Sequence, residues 1–334
     1  MRFKNASDCW KVILEEKDQK LLAEIEEFAL KNPEKTSVSF GTSGWRGEIG
    51  TDFTCRNLSI VGKAIIKLLK TTDKEVLSSL GVSDFDEVKR RGVIVGHDNR
   101  FLGPLFSRII ISLFNKEGVR VFYAGETTTP EISASIEMLK AAASINITPS
   151  HNPANYQGIK FNPSDGGPAG KELTSLVQDY TNEMMDDPEE VKIPTRDEIG
   201  FEEIDTTSIY IDYLKERGTV DLERIRGFLK EQDILLAIDH VHGATRGRPA
   251  KLFGGDLIDN KIKLLRTEDD FLFGGVAPEP SKENMSEVEK LLKNSDARYR
   301  LGVIMDPDGD RIRFCDHRMQ IPMNYFGAMA FHFL

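Results

Sequence analysis

The 334-residue chain is 40% hydrophobic and 29% charged, with a formal net charge of −10. That length suits two domains, three at most, and the composition supports buried cores rather than a disordered chain. An acidic chain without a basic block argues against nucleic acid and anionic membrane as main partners, while local Arg, Lys or a metal ion can still receive an anionic substrate.

Leu21, Ile25 and Phe28 fall at helical spacing and predict one or two helices between Asp8 and Leu30. A short β-prone run, Ser37 to Phe40, leads into a loop from Gly41 to Gly47. Leu58, Val61, Ile65 and Leu68 then mark an amphipathic helix. From Gly92 strands and helices alternate: strand Val93 to Val95, helix Pro104 to Lys116, strand Val119 to Tyr123, helix Glu131 to Lys140, strand Ala143 to Ile147. The acidic, polar stretch Asp186 to Asp205 reads as a linker. Beyond it the pattern restarts with helices between Thr206 and Arg226, strand Ile234 to Asp239, a helix after Gly243 and strand Lys261 to Leu265. Helix Lys282 to Lys293, strand Leu301 to Met305 and strand Ile312 to Cys315 follow, the last paired through the tight loop before it. This order predicts an α/β architecture with a mostly parallel core, in two halves that look like repeats of one another. Asn324 to Leu334 opens an amphipathic helix without a C-cap.

The N-terminus, Met1 to Lys20, is too charged for a secretory signal, and no apolar run reaches the length of a membrane span. Cys9, Cys55 and Cys315 are widely spaced and form no C-x-x-C pair. The expectation is a cytoplasmic protein in a reducing environment, without a disulfide framework or a structural zinc site.

Two constellations carry chemistry. The first is Thr148-Pro149-Ser150-His151-Asn152-Pro153, followed by Gly158-Ile159-Lys160-Phe161. It follows a buried strand, and in α/β sheets ligands bind at the carboxyl ends of strands. Two prolines and a glycine shape the loop around the serine hydroxyl, and Lys160 can reach back as point charge or base. The alternative is a rigid turn with an exposed serine. A hydrolase triad fits poorly, because Ser150 and His151 are adjacent and no G-x-S-x-G elbow is present.

The second constellation is Asp306-Pro307-Asp308-Gly309-Asp310-Arg311. Carboxylates at alternate positions after a strand can converge on one hard cation, and would repel one another without it. A solvated acidic turn is the alternative. An EF-hand fits worse, since His317 stands where its closing glutamate belongs and the flanks read as strands. Asp98 with Arg100, and Asp239 with His240 and His242, close two other strands. The histidines suit a structural loop better than zinc, for want of further ligands. The loop from Gly41 to Gly47 is by itself a weak phosphate-binding signal.

Taken together, these strings resemble the α-D-phosphohexomutase superfamily, which includes phosphoglucomutase and phosphomannomutase. Phe40 to Gly47, Thr148 to Pro153 with Gly158 and Lys160, Asp239 to Gly243, and Asp306 to Arg311 occur in the family's order. The resemblance implies two consecutive three-layer α/β/α domains with mixed, mostly parallel sheets. Residues 37–190 would carry the phosphoserine loop and 205–318 the metal loop, after a helical extension over 1–36 and before the start of a truncated third domain over 319–334. It implies that Ser150 is phosphorylated, and that Asp306, Asp308, Asp310 and an oxygen of the Ser150 phosphate hold Mg2+. Arg46 and Lys160 would flank the reacting phosphate, with Lys160 a candidate proton acceptor. His151 follows the serine in the family too, and Arg311 closes the metal loop beside the substrate.

The activity so implied interconverts hexose 1-phosphate and hexose 6-phosphate through a hexose 1,6-bisphosphate. Asn162 and Gly166 to Ala169 look more like phosphoglucomutases, which favours glucose phosphate. The family's sugar-reading loop and its grip on the non-reacting phosphate find no counterpart here. The expectation is therefore a poor mutase alone, either a truncated gene product or one half of a split enzyme whose C-terminal half is a separate chain. A non-catalytic fragment that binds sugar phosphate or a partner chain, and a metal-dependent phosphatase, are the alternatives.

Overall fold

The computed structural model describes residues 2–31, 36–41, 44–186, 191–218 and 220–333. Thr42 and Ser43 of the glycine-rich loop, residues 187–190 of the linker stretch, and residues 1 and 32–35 of the N-terminal extension lie outside them. Two helices open the chain, α1 (Ala6–Glu16) and α2 (Leu22–Leu30). Their apolar faces bury Trp10, Ile13 and Ile25 in the core of the first domain, and Trp10 Nε1 donates to the Ile49 carbonyl at 2.9 Å.

Strands β1 (Phe40–Gly41) and β2 (Gly44–Glu48) precede helices α3 (Cys55–Leu69), α4 (Lys74–Leu80) and α5 (Phe85–Arg91). The sequence alternation then appears as β3 (Val93–His97), α6 (Gly103–Lys116), β4 (Val121–Glu126), α7 (Thr129–Leu139) and β5 (Ala143–Ile147). Strand β6 (Tyr156–Asn162), helix α8 (Lys171–Met184) and the short β7 (Glu202–Glu203) complete a seven-stranded sheet in the order β1-β2-β6-β5-β3-β4-β7 among the described residues. Strands β3, β4 and β5 are parallel, while β6 runs antiparallel to β5. Alternation along β3 decides the layers. Val93 and Val95 pack into the core shared with α3, α6 and α8, whereas Ile94 faces Ile132 and Ile136 of α7.

The structure differs from the sequence reading in three strands and three helices. Gly44 to Gly47 is not loop but strand, because β2 pairs with β6 and sets Arg46 opposite Gly158. The segment holding Lys160 is a sheet strand, β6, rather than an extension of the serine loop. The linker stretch adds β7 alongside β4, so part of it belongs to the first sheet. Helices α4, α5 and α8 carry no counterpart in the sequence reading; α4 and α5 are only seven residues each, too short for a clear period.

Helices α9 (Thr206–Arg217) and α10 (Leu222–Glu231) lead into β8 (Ile234–Asp239), α11 (Arg248–Phe253), β9 (Ile262–Leu265), α12 (Ser286–Lys293), β10 (Tyr299–Met305) and β11 (Ile312–Asp316). The sheet order is β11-β10-β8-β9, with β11 antiparallel to β10 and the others parallel. This matches β6-β5-β3-β4 of the first sheet strand for strand, so the two halves repeat one topology. The repeat places Thr148-Pro149-Ser150 and Asp306-Pro307-Asp308 at the same point of each sheet, just beyond the third parallel strand.

The halves are docked by a loop and by ion pairs. Phe271, Leu272 and Phe273 leave the second domain and enter the core of the first, where Phe271 meets Phe101 edge-on at 5.6 Å between centroids. Arg248 reaches buried Glu131 and the Glu126 carbonyl, and Thr207 donates to Glu131 at 2.7 Å. Lys17 and Gln19, between α1 and α2, donate to Gly274 O and Asp270 on that same loop. The last helix, α13 (Met323–Phe333), buries none of its side chains. Among the described residues no helix is long and apolar enough to cross a membrane.

Candidate active site

Ser150 sits in the tight connection between β5 and β6, with a left-handed backbone (φ 58°). Gly158 lets that connection close on itself: a Cβ there would lie 2.6 Å from the Thr148 carbonyl oxygen. The Ser150 hydroxyl is buried and crosses the domain boundary. It donates to Asp306 Oδ2 at 2.8 Å and lies 3.5 Å from Asp310 Oδ1 and 3.4 Å from His151 Nδ1. The serine loop and the aspartate loop, 156 residues apart in the chain at that contact, thus form one site.

The aspartate loop turns sharply at Gly309 (φ 68°), and Arg311 N donates to Asp306 Oδ1 at 2.9 Å. The three carboxylates converge, with one oxygen from each within 4.8 Å of the others. Lys160, buried on β6, donates to Asp308 Oδ2 at 2.6 Å and to Asp310 Oδ2 at 2.8 Å. Burial works against its ammonium, but the two aspartates outweigh burial and hold its pKa above the ordinary lysine range. Lys160 in this setting is a charged donor. Burial pushes the Asp306 carboxyl up to about 8, helped by the charges of Asp308 and Asp310. For Asp308 burial pushes the same way, but Lys160 prevails and keeps it below the usual carboxylate range. Burial, followed by the charges of Arg311 and Arg46, holds His151 below its ordinary value, so its ring is neutral near pH 7.

This donor set fits a hard divalent cation. Asp308 Oδ1 is buried without a hydrogen-bond partner, an orphan acceptor on one of three converging carboxylates. A bound cation would satisfy that oxygen and offset both the burial and the repulsion that raise Asp306.

The structure therefore brings Ser150, His151, Lys160, Asp306, Asp308 and Asp310 into direct contact. Arg46 and Arg311 reach the same neighbourhood as positive charge around His151. The zinc alternative for the second strand end finds no support in its geometry. His240 Nδ1 pairs with Thr245 Oγ1 at 2.7 Å, and His242 Nδ1 with the Glu268 carbonyl at 3.1 Å.

Residues that sequence reasoning left without a role also belong to the site. Thr129, at the start of α7, donates from its hydroxyl to Asp308 Oδ2 at 2.7 Å and from its backbone to Asp308 O at 2.8 Å. Its signal was the run Thr127-Thr128-Thr129-Pro130-Glu131, which marks a helix start but not what the start faces. Thr148, Asp98 and Arg100 lie directly beneath Ser150.

Comparison with known proteins bears on this site. The family model described as phosphoglucomutase/phosphomannomutase, alpha/beta/alpha domain I, matches residues 37–187, and that for domain II matches residues 208–319. A phosphoglucosamine mutase of Leuconostoc mesenteroides is 30% identical over 238 residues, 71% of this chain and 48% of the relative. A phosphoglucomutase of Staphylococcus epidermidis is 26% identical over 303 residues, 88% of this chain and 51% of the relative. A crystal structure from Thermus thermophilus, provisionally named a phosphomannomutase, superposes with a TM-score of 0.66 at 28% identity, covering 84% of this chain and 57% of that one. The chain spans about half the length of the curated relatives it matches. With both domain models matched in order and two repeated α/β/α halves meeting at their loops, the chain belongs to the phosphoglucomutase/phosphomannomutase family of the α-D-phosphohexomutase superfamily.

Proposed function

We propose that this chain carries the phosphoryl-transfer centre of a phosphohexomutase acting on hexose phosphates, with glucose phosphate favoured by Asn162 and Gly166 to Ala169. The observation that carries the reading is the contact of the Ser150 hydroxyl with Asp306 across the domain boundary, beside an aspartate oxygen that lacks a partner. Asp306, Asp308 and Asp310, with an oxygen on Ser150, would hold Mg2+, which supplies positive charge beside a phosphoryl group when bound.

Starting from phosphorylated Ser150, the sugar hydroxyl oxygen bonds to phosphorus as the bond from phosphorus to Ser150 Oγ breaks. The hydroxyl proton ends on Ser150 Oγ, and a hexose bisphosphate results. Neutral His151, 3.4 Å from Ser150 Oγ, is placed to carry that proton. Lys160 neutralises charge rather than accepting a proton for as long as Asp308 and Asp310 hold it. Arg46 and Arg311 add positive charge where the transferring group is most anionic. Return of the other phosphoryl group to Ser150 completes an interconversion of hexose 1-phosphate and hexose 6-phosphate.

Intact mass after incubation with glucose 1,6-bisphosphate and magnesium tests the reading. The expected result is a gain of one phosphate by the wild-type chain and none by Ser150→Ala. No gain by folded wild type sinks it.

Exposed Phe333 on α13, which lines an apolar cleft of about 1380 Å³ between α10, α11 and the second sheet, favours a second reading. In it the sugar-holding part is supplied by a separate C-terminal half, and mutase activity appears only when the two are mixed.

A further inference from the structure

We infer that Arg100, with Asp98 and Thr148, is the positioning element for Ser150: a buried cradle that fixes the backbone from which the reactive hydroxyl is aimed. The inference deepens the phosphoserine reading above and rests on it.

Arg100 is 1% exposed. Its guanidinium spends its donors on the carbonyls of the serine loop: Ser150 O at 2.8 Å, Pro153 O at 2.6 Å, Tyr156 O at 3.4 Å, and Asn152 O. One planar fork thus grips four points of a seven-residue turn, which a lysine ammonium cannot do. Asp98, fully buried, anchors the fork. Its Oδ1 accepts from Arg100 N at 3.0 Å, and its Oδ2 lies 3.4 Å from Arg100 Nε. Asp98 Oδ2 also accepts from Thr148 Oγ1 at 2.7 Å, and Thr148 Oγ1 in turn accepts from Ser150 N at 2.9 Å. Ser150 is therefore held at its own N–H and at its own carbonyl by one network. Those are the two groups that must be fixed to keep a non-glycine residue in the left-handed region, a conformation that persists only where the surroundings impose it.

A purely structural reading, a satisfied buried ion pair, explains the burial but not the targets. Burying a guanidinium is expensive, and an apolar side chain would fill the same space more cheaply. Here every hydrogen bond of the guanidinium goes to a carbonyl of the loop that aims the hydroxyl, and Asp98 pairs with it as a charge. The second domain completes the cradle. Phe273 lies over the guanidinium with its centroid 4.7 Å from Cζ, and Asn99 donates to the His242 carbonyl. Ser150 is accordingly held firmly only when the domain bearing Asp306 is docked, which couples the aim of the hydroxyl to the presence of its target.

The test uses Arg100→Lys and Thr148→Val on the full chain, with two readouts. Rapid-quench phosphate uptake from glucose 1,6-bisphosphate with magnesium should slow about a hundredfold in each variant, the cost of a displacement near 1 Å at a reacting group. The half-saturating bisphosphate concentration and the final stoichiometry should stay as in wild type. Amide exchange measured by mass spectrometry should speed up in residues 150–156 and not in α6 or α7. Thr148→Val is nearly isosteric and serves where Arg100→Lys fails to fold. Wild-type exchange in the serine loop of a folded variant overturns the inference, as does an undiminished uptake rate. No uptake by wild type defeats the phosphoserine reading alone, and the loop exchange then judges the cradle by itself.

Discussion

His240 follows the last residue of β8 with its ring fully buried, Nδ1 held by Thr245 and Nε2 without a partner. Burial depresses its pKa to about 4, and Arg246 and Arg248 add to the effect while Asp239 opposes it. The unfolded chain binds a proton at this residue from about pH 6.5 downward, whereas the folded chain resists until about 4. The stability this provides is complete above pH 6.5 and is lost as pH falls toward 4, on the order of 3 kcal/mol by linkage. Urea denaturation at pH 7.5, 5.5 and 4 should show that decline, and His240→Gln should flatten it; parallel curves would refute the assignment. At this scale Ser150, His151 and the three aspartates were legible because each set lies within a few residues of sequence and is chemically unusual. Arg100 was visible only as a strand end, since its partner carbonyls lie 50 to 56 residues further along the chain.

Helix α7 shows how one element serves two domains. Thr128 and Glu131 form a capping box at its start, so a buried glutamate satisfies the first turn's N–H groups. Glu131 also accepts from Thr207 of α9 and pairs with Arg248 of the second domain. Burial pushes its carboxyl up, but Arg248 and Thr207 outweigh that and lower it, so it stays ionised. Removing one partner of a buried pair leaves the other uncompensated. Glu131→Ala is expected to cost about 3–5 kcal/mol of stability in urea denaturation. Glu131→Gln, which keeps the shape and part of the hydrogen bonding, should cost less; equal losses would show that the charge is irrelevant. The box was readable from Thr-x-x-Glu, but its second use depends on α9 and α11 lying beside α7. Strand β6 was missed for a related reason. Its Gly158 and Lys160 read as loop chemistry, and only pairing with β5 and β2 makes the segment extended.

For the molecule as a whole, the docking of two repeated halves is the decisive fact. Phe273 is fully buried in the first domain's core although it belongs to a loop of the second. Phe273→Ala should cost about 3–5 kcal/mol and loosen the docking, so that calorimetry resolves two transitions where wild type gives one. A single transition would mean that the remaining ion pairs hold the halves together. The sequence by itself determined the α/β class, the alternation of most strands and helices, and the two loops that meet in the candidate site, because these rest on periods of two to seven residues and on compact motifs. Only the tertiary structure decided that Ser150 meets Asp306, that Lys160 is held as an ammonium by Asp308 and Asp310, and that Phe273 covers Arg100. Those contacts join residues more than a hundred positions apart, and their energies come from burial and mutual charge, which exist only once the two sheets have been brought loop to loop.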